Sequence, residues 1–73
     1  MISRISNYVV EFIDNDSANT ILELDTTAVP SYTIGQDIYL NEIRYIVRDI
    51  IHHIYSIKRE YKLAVWIEKQ EEE

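Results

Sequence analysis

The chain contains no cysteine, so neither a disulfide nor a thiolate metal site can supplement its core. Glycine and proline occur once each, as Gly35 and Pro30. A single glycine leaves no glycine-rich phosphate cradle, no P-loop and no G-x-S-x-G elbow, and with cysteine absent too, nucleophilic catalysis finds no support. No segment approaches the roughly 20 apolar residues of a membrane-spanning helix, and the opening MISRISNYVVEF has one arginine and no apolar run of signal-peptide length. A cytoplasmic location and no membrane partner are expected. Positive charge is scarce as well: 7 Lys and Arg stand against 13 Asp and Glu, for a net charge of −6. That balance opposes attraction to nucleic-acid phosphates and disfavours a basic DNA-binding module.

What is present describes a small globule. Hydrophobic residues make up 47% of the 73-residue chain and charged residues 27%, the composition of a folding domain. A chain of this size buries only about 60% of the surface it exposes when unfolded, so association with another chain is a natural source of stability. The expected organisation is one β domain over 1–70 followed by an acidic, frayed tail over 71–73, where Glu71, Glu72 and Glu73 stand together.

Residues 5–13, ISNYVVEFI, are β-branched and aromatic and run into the polar cluster DNDSAN, so a strand followed by a loop is expected. Residues 20–24, TILEL, alternate and complete a hairpin with that strand. Pro30 belongs in a loop or at an edge, and Gly35 supports a tight bend or a positive φ. Residues 37–40, DIYL, form a short strand, and residues 62–68, KLAVWIE, a closing strand with Leu63, Val65 and Ile67 inward.

The stretch 41–61, NEIRYIVRDIIHHIYSIKREY, carries two periods at once. Ile43, Ile46, Val47, Ile50, Ile51, Ile54 and Tyr61 recur at helical spacing behind Asn41 as an N-cap, which gives an α+β alternative with a helix at about 42–60. The residues themselves, Ile, Val, Tyr and His, favour strands instead. Read as β, Tyr45 and Val47 keep one phase, a bulge near Asp49 shifts it by one, and Ile50, His52 and Ile54 take over.

The run PSYTIGQDIYLNEIRYIVRDIIHHIY, followed by KLAVWIE, resembles small all-β proteins of bacteriophages and mobile elements, through Pro30, Gly35, Ile38, Leu40, Tyr45, Val47, Ile50 and the strand at 63–67. The resemblance covers about the last two-thirds of the chain. It implies a five-stranded, SH3-like barrel or a strongly bent antiparallel sheet, with a hairpin turning through 41–44 where such proteins often carry a glycine and this chain has none. It implies fold far more than function.

Two clusters invite a metal. On a helix Asp49 and His53, at i and i+4, would share a face and could bind a metal, but no third ligand stands at a recognisable spacing and a strand sends His52 and His53 to opposite faces, so no site is expected there. Asp14 and Asp16 open like a calcium loop, but the sixth and twelfth positions hold Asn19 and Asp25 in place of glycine and glutamate. No metal, cofactor or catalytic residue is expected. What remains is surface: Trp66, Tyr39 and Tyr55 are interface candidates, and Arg44, Arg48, Lys58, Arg59 and Lys62 place most of the positive charge in one span. Trp66 faces outward on the closing strand, or is covered by the N-terminal segment or the Pro30 loop; both arrangements fit.

The reading is a non-catalytic protein-binding module. The resemblance extends it to a phage-encoded inhibitor of a host defence protein, such as a CRISPR nuclease, acting in the host cytoplasm. The alternatives are an assembly accessory acting as a homodimer or higher homo-oligomer, and a nucleic-acid-binding small barrel.

Overall fold

The computed structural model describes residues 4–71. They form five strands, β1 (Asn7–Asp14), β2 (Thr20–Thr26), β3 (Asp37–Leu40), β4 (Ile43–Tyr55) and β5 (Glu60–Lys69), with no helix among them. Of the expected acidic tail, only Glu71 falls within the described residues; it lies beyond β5 and is exposed.

The helix considered over about 42–60 is therefore corrected. β4 runs through most of that span and pairs antiparallel with β5 from Tyr45↔Lys69 to Tyr55↔Glu60. Its helix-like spacing has the expected cause, a register shift between Val47 and Asp49. Before the shift Tyr45 and Val47 are buried; after it Ile50 packs on the same cluster.

The strands make one sheet in the order β2-β1-β5-β4-β3, curled into a half-barrel. Three contacts are antiparallel hairpin neighbours, but β1 and β5 lie parallel at the centre, from Asn7↔Glu60 to Asp14↔Ile67. That pairing joins the β1–β2 hairpin to the β3–β4–β5 meander. Backbone bonds extend it at both ends: Ser6 N–H and Asn7 N–H donate to the Arg59 carbonyl at 2.9 and 3.1 Å, and Asn15 N–H donates to the Ile67 carbonyl at 2.7 Å.

A single sheet must cover its apolar face, and here curl and a loop do so together. Val10 and Phe12 of β1, Leu63, Val65 and Ile67 of β5, and Tyr45 and Val47 of β4 form the core on the concave side. The connection from β2 to β3, residues 27–36, lays Tyr32 edge-on against Phe12 with ring centroids 5.8 Å apart. Pro30 lies in this loop, and Gly35 takes φ 91 where it donates its N–H to the Val47 carbonyl.

Three turns use residues other than glycine at positive φ: Ala18 between β1 and β2, Asn41 and Glu42 between β3 and β4, and Arg59 between β4 and β5. Leu40 pairs with Ile43, so Asn41 and Glu42 alone make the β3–β4 turn, with φ 52 and 68, as a type I′ hairpin requires. In the β1–β2 loop Ser17 Oγ donates to Asp14 Oδ2 at 2.7 Å and Asp16 N–H donates to Asp14 Oδ1 at 3.3 Å. The residues that begin like a calcium loop are a self-bonded turn, and these bonds, led by the Ser17 hydroxyl, hold the Asp14 carboxyl below the usual carboxylate range.

Candidate protein-binding face

The outer, convex side of the sheet is built by the residues that alternate with the core. Paired residues share a face, so Val9, Glu11 and Ile13 of β1 stand beside Lys62, Ala64 and Trp66 of β5, which stand in turn beside His53, Ile51 and Asp49 of β4. Val9, Ile13 and Ala64 are buried although no second layer covers them. Longer neighbours shelter them: Val9 lies between Lys62 and Asp25, and Ile13 lies beside Trp66.

Toward β4 this shelter gives way to an open aromatic and aliphatic row. Trp66 is half-buried, and its Nε1 is buried without a hydrogen-bond partner. Ile51, across from Ala64, is 39% exposed. His53 and Tyr55 stack with an interplanar angle of 7° and centroids 6.2 Å apart. Lys58 places its Nζ 5.3 Å from the Tyr55 ring centroid, a cation–π contact that caps the row.

Of the residues singled out from sequence, the structure therefore collects Trp66, Tyr55, Lys58 and Lys62 in one region. Arg48 also lies on this face, where its Nε donates to Glu68 Oε2 at 2.8 Å. Tyr39, 62% exposed, is remote from Tyr55, since β3 pairs it with Arg44 at the opposite end of β4. Arg44 is bound to Asp37 at 3.1 Å, so two of the five cations expected to form a free positive span are neutralised in surface ion pairs. Arg59 has a backbone role at φ 56, where its carbonyl receives the Ser6 and Asn7 N–H groups at the start of β1. Ile51 and His53 were not among the interface candidates, His53 having been weighed only as a metal ligand; the bulge that puts Ile50 inward also puts them outward, which is the signal that identifies them.

The concave side offers a hollow of about 410 Å³ between the loop and the sheet, lined by Pro30, Tyr32, Ile50, His52 and Leu63 among others. Of its polar lining, the His52 Nδ1 is engaged by the neighbouring Tyr61 hydroxyl, 2.6 Å away. His52 and His53 thus lie on opposite faces, and no group of three or more His, Cys, Asp or Glu side chains converges among the described residues. No helix of the described residues is long and apolar enough to cross a membrane. Comparison of the chain with protein-family models, with curated proteins and with solved structures finds no match.

Proposed function

We propose that the chain is a non-catalytic protein-binding module whose recognition surface is the outer face around Trp66, Ile51, His53 and Tyr55. The observation that carries this reading is the row itself: rigid amphipathic rings and an isoleucine, partly exposed, on the side of the sheet opposite the core. Such rings bury large areas at low entropic cost and anchor interfaces. Lys58 and Lys62 at the margin supply charge that steers encounter with an acidic partner surface. The narrower form, a phage-encoded inhibitor that covers a functional surface of a host defence protein such as a CRISPR nuclease, rests on the family resemblance alone.

The test is capture from bacterial lysate on the immobilised chain, run beside Tyr55→Ala and Ile51→Arg. Both positions are on the exposed row, so both variants keep the wild-type circular dichroism. A protein that binds the wild type and binds each variant at least about tenfold more weakly supports the assignment. Equal capture by all three contradicts it.

A further inference from the structure

β4 is longer than the strand beside it. β3 pairs with β4 only over residues 43–46, and Gly35 and Gln36 extend the contact to Val47. Residues 49–55 are thus paired with β5 on one side and with no described strand on the other. An open row of strand N–H and C=O groups is a template for another strand. Val47 turns its N–H and C=O to Gln36 and Gly35 on the β3 side. Past the bulge, the Ile50 N–H is met by the side chain of its neighbour, Asp49 Oδ1, at 2.9 Å. Alternation then directs the backbone groups of Ile50, His52 and Ile54 outward.

The sheet has two further open edges, β2 and the outer side of the four-residue β3, which carries Asp37, and the edges differ in charge. β2 carries Glu23 and Asp25, so antiparallel pairing of two β2 edges would oppose carboxylates. Residues 50–57 carry no Asp, Glu, Lys or Arg, and they are flanked by Asp49 on one side and Lys58 on the other. In a chain of net charge −6, the β4 edge is where a second copy meets least repulsion.

We propose that the chain forms a two-fold dimer by antiparallel pairing of β4 edges, giving one continuous sheet through both copies. A two-fold axis normal to the sheet keeps each face continuous, so it must pass between one residue and its own counterpart. The register that engages all of 49–55 sets His52 against His52 of the second copy, Ile50 against Ile54, Ile51 against His53, and Asp49 against Tyr55. Because Lys58 Nζ lies over the Tyr55 ring, Asp49 of each copy then meets Lys58 of the other, twice across the axis. Movement of the Asp49 carboxylate to that ammonium releases the Ile50 N–H to donate to the Ile54 carbonyl of the second copy. Ile54, 62% exposed in one copy, is covered by Ile50 of the other.

This dimer does not depend on the partner-binding reading: it rests on the strand edge and its charge pair, shares Ile51, His53 and Tyr55 with the proposed recognition face, and survives Trp66→Ala, which removes only the partner anchor. The test is sedimentation equilibrium of the full chain across a range of concentrations at neutral pH. The expected mass is twice the 8.7 kDa of one copy. His52→Lys sets two ammonium groups on the axis and raises the dissociation constant about tenfold or more, with an unchanged circular dichroism spectrum because the side chain is exposed. Asp49→Lys weakens the dimer and Lys58→Asp weakens it too, whereas the two together restore it, which no register lacking this contact would produce. A chain that remains at 8.7 kDa at about 1 mM, the ~4 kcal/mol end of the affinity scale, overturns the proposal. So does a dimer indifferent to His52→Lys, a charge swap without restoration, or growth beyond the dimer with concentration.

Discussion

Ile67 and Ile54 show how one residue type takes two roles in this chain. Ile67 is 0% exposed at the centre of the concave core, and Ile54 stands at the open end of β4. Truncation to alanine removes the same atoms, yet Ile67→Ala should cost about 2–5 kcal/mol, enough to unfold much of a domain this small, while Ile54→Ala stays within about 0.5 kcal/mol. Urea unfolding of the two variants measures the contrast, read at one protein concentration because Ile54 lies in the proposed dimer contact. The titratable residues give a second prediction. Asp14 has a lowered folded-state value, owing first to the Ser17 hydroxyl, so its contribution is present above the unfolded carboxylate range near pH 4 and is lost as pH falls through the lower folded value. Tyr32 is raised by burial in the loop contact, so its contribution is complete below about pH 10 and is lost as pH rises from there through the higher folded value. Ser17→Ala should flatten the acid limb of the stability curve, and Tyr32→Phe the alkaline limb. An unchanged limb in either variant would show that its bonds do not couple to folding.

At the scale of elements, the β3–β4 turn holds Glu42 at φ 68, a conformation that costs a side-chain-bearing residue about 1 kcal/mol. Glu42→Gly should therefore raise stability by roughly that amount in thermal or urea unfolding, and a loss of stability would mean that the carboxylate makes a contact outweighing the strain. The same element shows what could be read in advance. β3 and the inward set Leu63, Val65 and Ile67 follow from alternation, and the phase change near Asp49 follows from Tyr45 and Val47 giving way to Ile50. Helical spacing over the same residues is the by-product of that one extra residue. The parallel contact of β1 with β5 could not be read, because its partners are far apart in sequence and both strands look like ordinary hairpin members. Nor could the burial of Val9, Ile13 and Ala64, since a central strand hides both faces and so loses the clean alternation that marks an edge. Of the proposed binding face, Trp66 and Tyr55 stand out in the sequence as aromatics, but alternation leaves Trp66 either outward or covered and does not place Tyr55 on a face. The separation of Tyr39 from them, and the capture of Arg44 and Arg48 by Asp37 and Glu68, depend on register and required the structure.

The whole molecule is extended for its size. Its radius of gyration is 13.5 Å, above the roughly 11 Å of a compact chain of this length, and its long dimension is 54 Å against 21 and 19 Å across. An open half-barrel gives a small chain two broad faces, at the cost of a thin core and two strand edges. One face is occupied by the core and its loop, and the proposed recognition surface lies on the opposite side of the sheet. Trp66 is the chain's one tryptophan, and its indole N–H lies on the outer side without a hydrogen-bond partner, so it gives a single nuclear magnetic resonance signal in a clear spectral region. The decisive measurement adds the captured partner to the labelled chain and follows that indole signal alongside the methyl signals of Val10, Val47 and Leu63 in the concave core. The account predicts that the indole and the Ile51 methyl signals shift or broaden while the core methyls stay in place. Movement of the core methyls with the indole unchanged would place recognition on the concave side and contradict it.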